Sequence, residues 1–116
     1  MARVYKICPE ALWREAEAAG RFTGSPVDHQ DGFIHFSTIT QVAETAARHF
    51  AGQADLLLIT VEADRLGHAL RYEASRGGAL FPHLYGPLPL DAVTAVDPLT
   101  RDADGRHVFP AGFLPA

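Results

Sequence analysis

A chain of 116 residues with 47% apolar side chains suits one globular domain spanning 1–116, and its single cysteine, Cys8, leaves no intrachain disulfide and no cysteine-based zinc site. A formal net charge of −4 argues against a protein that grips nucleic acid with a broad basic surface, although one or two cations in a pocket would still suit a small anion. The first residues lack the apolar stretch of a signal peptide and the longest apolar run, 56–61, is too short to cross a bilayer, so a cytoplasmic location without membrane contact is expected.

Residues 3–8 alternate apolar and polar and read as a first strand, with Cys8 reduced at its buried end. Pro9 suits the first helical position, where no N–H is needed, and Glu10 follows where the helix dipole favours a carboxylate. Leu12, Ala16 and Ala19 share one face of this helix. Trp13 beside them reads as a core anchor rather than a ligand platform, and Gly20 ends the helix. Residues 21–32 hold Gly24, Pro26, Asp28, His29, Asp31 and Gly32, which is loop chemistry and suits one wall of a site. A second strand is expected over 32–37. Thr38 and Gln41 then stand at capping-box spacing and open a helix with Ile39, Val42, Ala46 and Phe50 on one face, stopped at Ala51-Gly52. A strand end followed by free helical N–H groups also suits an anion.

Residues 55–62 form a continuous apolar run bounded by acids, which predicts a central strand buried on both faces. A turn at 64–67, a short strand at 70–73 and a loop at 75–78 follow. The stretch "LFPHLYGPL" at 80–88 holds two prolines and a glycine, which rule out a regular central strand. Phe81, His83 and Tyr85 nevertheless share a side wherever it is extended. A turn at 89–91 leads to a strand over 92–97, and 99–101 with 107–109 predict a terminal hairpin around the turn at 102–105. Helices early and strands late predict an α+β fold with mixed, largely antiparallel sheets rather than a doubly wound one. No Gly-rich phosphate loop is present.

Six histidines invite a metal reading, but His29, His35, Asp28 and Asp31 match no metal-ligand spacing, and no metal is expected. His49, His68 and His107 read as surface residues. His35 and His83 differ, because each sits between apolar neighbours and a buried imidazole must find a hydrogen-bond partner. Each is followed two positions on by a hydroxyl, Ser37 and Tyr85. A satisfied core histidine and a ligand-facing residue in a shared cleft are the two readings, and the sequence favours the cleft. Ser37 lacks a nucleophile elbow, and Cys8 lacks a base partner. Glu73 is either an exposed carboxylate or, in a cleft, a group that stabilises developing positive charge.

"VYKI" at 4–7, "DGFIHFST" at 31–38, "LRYE" at 70–73 and "LFPHLYGPL" at 80–88 together resemble the family catalogued as domain of unknown function 952. More distantly, Ile34-His35-Phe36-Ser37 is similar to the His-x-Ser strand of RNA 2′-phosphotransferases, within the ADP-ribosyltransferase superfamily. That resemblance implies split sheets around a cleft, with two early helices, and NAD as a substrate attacked at the nicotinamide ribose. It implies catalytic roles for His35, on a ribose hydroxyl or phosphate, and for Glu73, on the charge that builds as the C–N bond breaks. Lys6 would meet a phosphate, Ser37 and Thr38 would border the anion, and Phe81 or Tyr85 would stack on a flat ring beside His83. Lys6-Ile7 stands where the superfamily carries His or Arg before Gly, and the arginines that grip RNA phosphate are absent. An NAD-using enzyme and a non-catalytic module for a nucleotide or small anion therefore both stay open, separated by whether Glu73 points into the cleft.

Overall fold

A computed structural model describes residues 2–115. Among the described residues the strands are β1 (Arg3–Pro9), β2 (Arg21–Phe22), β3 (Ile34–His35), β4 (Leu56–Glu62), β5 (Leu70–Ala74), β6 (Leu80–Leu84), β7 (Leu88–Pro89), β8 (Val93–Arg101) and β9 (His107–Val108); the α-helices are α1 (Glu10–Ala19), α2 (Pro26–Asp31) and α3 (Val42–His49). The apolar run at 56–62 becomes the centre, as the sequence predicts. β4 is buried at every position, because β1 and β8 flank it, both antiparallel.

The alternation of a strand divides the core into two layers. Leu57, Ile59 and Val61 pack with Trp13, Ala16 and Phe22 on one face of the first sheet. Leu56 and Leu58 pack with Tyr5, Ile7, Val42 and Ala46 on the other. So α1 covers one face and α3 the opposite one. Full burial of a side chain such as Leu58 or Ile59 contributes about 1.5–3 kcal/mol. Trp13 is a core anchor, 1% exposed, tilted against Phe22. Gly20 stops α1 with φ 89°, its N–H donating to Ala16 O, a left-handed position that glycine adopts without a Cβ clash.

The first sheet runs β1-β4-β8-β9, the second β3-β6-β5, and β2 pairs with β7 apart from both. Every pairing is antiparallel. Tyr5 and Ser37 exchange two backbone hydrogen bonds of 2.8 Å, which tie the chain leaving β3 to the outer edge of β1. The molecule is thus an α+β fold of several curled antiparallel sheets with three helices. Among the described residues no helix is long and apolar enough to cross a membrane.

Several local expectations are corrected. The loop expected at 21–32 contains α2, and the strand expected over 32–37 is the shorter β3. The helix expected from Thr38 starts at Val42, because Thr38 O accepts the N–H groups of both Gln41 and Val42 in a tight turn. β6 is the central strand of its sheet despite Pro82. Pro82 O accepts from Phe36 N–H just beyond β3, so the missing N–H falls on the flank where regular pairing has already ended at His35. β8 runs unbroken through Pro98 to Arg101, for at Pro98 it has β4 on one side and β9 joins only at Thr100.

Candidate functional site

α2 places the central carboxylate. Pro26 occupies the first turn, and the Ser25 N–H donates to Asp28 Oδ2 at 2.8 Å, the carboxylate half of a capping box. Gly32, at φ 86°, closes the helix through its N–H to Asp28 O and turns the chain back into β3. Asp28, 2% exposed, therefore lies between β1 and β3. Lys6 Nζ donates to both of its oxygens, at 3.0 and 2.8 Å. The His35 backbone N–H donates to Oδ1 at 3.1 Å, and His35 Nδ1 lies 2.6 Å from the same atom. The other ring nitrogen, Nε2, is 2.9 Å from Asp31 Oδ2.

The charges follow from this geometry. Burial alone would push the Asp28 carboxyl up. The hydrogen bond from His35, the Lys6 charge and hydrogen bond, and the Ser25 N–H outweigh it and hold the group well below the usual carboxylate range. On Lys6 burial pushes the ammonium down, against the upward pull of Asp28. Lys6 is thus already neutralised by Asp28 and is not a free cation for a phosphate. Burial raises the Cys8 thiol to about 11, which leaves it a thiol rather than a nucleophilic thiolate.

β6 brings the second histidine alongside. His35 and His83 are directly paired in register, with ring centroids 5.7 Å apart. His83, 5% exposed, has Nδ1 2.8 Å from Glu73 Oε1 on β5, and the Tyr85 hydroxyl donates to the same oxygen at 2.7 Å. Those two hydrogen bonds lower the Glu73 carboxyl, and the bond to Glu73 raises the Tyr85 phenol. Phe33 packs over both imidazoles, 4.6 Å from His35 and stacked 4.0 Å from His83. Arg71 lies above the Tyr85 ring at 5.2 Å.

A cavity of about 500 Å³ opens beside this pair, a size typical of small-molecule sites. Lys6, His35, Ser37, Phe81 and His83 line it, as do Asp31 and His49, the last an exposed residue that sequence reasoning left on the surface. Thr38, Glu73 and Tyr85 are not among its lining residues. Glu73 stands behind His83 as its partner. Thr38 spends its N–H on Gln41 Oε1, at 3.0 Å, so that N–H is not open to an anion. Thr45 gives its hydroxyl proton to Gln41 O, so the 2.8 Å bond between Ser37 and Thr45 takes its proton from Ser37. No group of three or more His, Cys, Asp or Glu among the described residues is arranged to hold a metal.

Asp28, Asp31 and Phe33 are site residues that sequence reasoning missed. Asp28 and Phe33 left a signal: Ser25-Pro26-x-Asp28 is a helix start, and Phe33 alternates with His35 and Ser37.

No curated protein matches the chain. Protein CC0527 of Caulobacter crescentus does, in its X-ray structure, at 55% identity and a TM-score of 0.88, covering 91% of this chain and 93% of that one. Its solution NMR structure matches at 56% identity and a TM-score of 0.82, over 91% of each chain. Residues 7–96 match the family described as protein of unknown function, DUF952. With most of its length covered by that match, both histidines included, the chain belongs to the DUF952 family.

Proposed function

We propose that the protein is a nucleotide-binding module of the cytoplasm that takes NAD, or another nucleotide bearing ADP-ribose, into the cavity beside His35 and His83. The observation that carries this reading is the paired register of the two histidines at the cavity wall, each with Nδ1 on a carboxylate. A carboxylate on Nδ1 fixes ring orientation and tautomer, which prepares the His83 imidazole to meet a hydroxyl or phosphate oxygen, whereas a ligand oxygen at His35 Nε2 would take the place of Asp31. Ser37 adds a hydroxyl oxygen, and Phe36 and Phe81 add apolar surface for a flat ring. The similarity of Ile34-His35-Phe36-Ser37 to the ADP-ribosyltransferase strand supports NAD over other anions.

Binding is preferred to catalysis because Glu73 gives one oxygen to both His83 and Tyr85 and stands outside the cavity lining. The second reading is an NAD-dependent transferase or hydrolase acting at the nicotinamide ribose. Asp31 favours it, as a carboxylate that does line the cavity, 2.9 Å from His35 Nε2. There it would stabilise the positive charge on the ribose as the C–N bond breaks. Calorimetric titration of NAD, ADP-ribose and a 2′-phosphorylated RNA end, with nicotinamide release followed in the NAD sample, separates the two. Saturable binding of NAD or ADP-ribose without release supports the module. Release that Asp31→Asn abolishes supports the enzyme, and no binding of any of the three overturns both.

A further inference from the structure

β5 has a neighbour on one side only, and among the described residues nothing pairs with its outer edge. The register shows which backbone groups face outward. Tyr85 N–H donates to Ala69 O, and Ser75 N–H to Ala79 O. Odd-numbered positions of β5 therefore turn their N–H and C=O toward β6, and Leu70, Tyr72 and Ala74 turn theirs to the open edge. Pro82, opposite Tyr72, has no N–H to offer, in keeping with this register. Tyr72 is 46% exposed and Leu80, opposite Ala74, is 56% exposed. An unprotected edge of this kind is a template for another strand.

The edge is complementary to itself. It reads Leu70-Arg71-Tyr72-Glu73-Ala74, with opposite charges placed symmetrically about Tyr72. A two-fold axis at Tyr72 sets it against the partner's Tyr72 as a hydrogen-bonded pair. Arg71 then meets the partner's Glu73, and Glu73 the partner's Arg71, at the non-hydrogen-bonded positions where side chains come closest. A slip of two residues in either direction would oppose Arg with Arg or Glu with Glu, so charge selects this register. Glu73 has room for the contact, because His83 and Tyr85 both use Oε1 and Oε2 has no partner among the described residues. Arg71 has its guanidinium over the Tyr85 ring, a contact that leaves its in-plane N–H groups free to donate.

We propose that the protein forms a two-fold symmetric dimer through β5, with one sheet continuous across both copies and Arg71 of each completing Glu73 of the other. The interface is isologous. Arg71 is thereby a positioning residue: it holds, from the neighbouring copy, the carboxylate that orients His83 at the cavity wall. This association does not depend on which ligand the cavity takes.

Sedimentation velocity of the full chain over a concentration series tests it. The wild type is expected to sediment as a dimer that dissociates on dilution. Arg71→Glu and Glu73→Arg each oppose like charges and weaken dimerisation by about tenfold or more, while an equimolar mixture restores opposite charges at both positions and recovers the dimer. Amide exchange of Tyr72 in the wild type, expected to slow as the dimer fills, decides the matter if a variant fails to fold. A wild type monomeric throughout, a dimer indifferent to either reversal, a mixture of folded variants no better than its components, or a Tyr72 amide unprotected in the dimer would overturn the proposal.

Discussion

His35 and His83 face each other across one antiparallel pair, and each takes its orientation from a carboxylate on a different element, Asp28 of α2 and Glu73 of β5. Phe33 roofs both rings. The two imidazoles therefore act as one unit, and a change at either carboxylate is felt at the shared wall.

Asp28→Asn removes the charge that Lys6 faces while keeping the side-chain shape. A buried ammonium left without its counter-ion should cost about 3–5 kcal/mol, read from the urea midpoint with an unchanged slope. Lys6→Met added to the same protein should recover much of the loss, since two apolar or neutral groups leave no buried charge. A single variant within about 1 kcal/mol of wild type would contradict the ion pair's importance.

Acid should weaken the fold through the same carboxylate. Asp28 binds its proton less readily folded than unfolded, so its stabilisation is complete above the unfolded value, near about 4, and is lost as pH falls toward the depressed folded value. Glu73, also lowered, has the same sign. Urea midpoints measured from neutral pH downward should fall below about pH 4, and Asp28→Asn should show a flatter acid limb. Parallel limbs in the two proteins would assign the loss to other groups.

His35→Ala should weaken NAD binding by about tenfold or more, the value of one hydrogen bond to a charged group. The same change strips a donor from Asp28 and should cost about 1–3 kcal/mol of stability, leaving the protein folded. His83→Ala should weaken binding comparably, and calorimetry of the double variant should show less than the sum of the two losses. Unchanged affinity in both single variants would remove the histidines from the ligand site.

Cys8 should resist modification. With its thiol raised to about 11, its thiolate fraction near pH 8 falls about a hundredfold below that of an ordinary cysteine. A chromogenic disulfide reagent should react correspondingly slowly with the native protein and at the normal rate in urea. Rapid native labelling would show that β1 opens.

What the sequence revealed tracked how local the signal was. β1, α1 and β4 announce themselves through alternation, a Glu in the first turn with a Gly stop, and an unbroken apolar run, although Pro9, expected at the first helical position, is the extended residue just before α1. α2 has a proper start at Ser25-Pro26, but its six residues fall between Gly24 and Gly32 and so read as loop. The T-x-x-Q spacing is half fulfilled: Gln41 does cap the Thr38 N–H, yet Thr38 bonds Thr40 and the helix waits until Val42. β6 was hidden by Pro82, whose cost depends on where the neighbouring strand ends. In the site, the shared side of His35 and His83 follows from alternation within strands. The Lys6–Asp28 pair does not, because it joins a strand to a helix twenty-two positions away, and no periodicity records such a contact.

Asp28 also bears on how the cavity meets its ligand. One carboxylate fastens β1, α2 and β3 together through side-chain and backbone donors, so the segment from Ser25 to His35 is ordered before anything enters. The entropy of immobilising that wall is then part of folding and is not charged against binding. The proposed ligand would meet a preformed surface, and its association should show the small heat-capacity change of rigid docking rather than that of coupled folding.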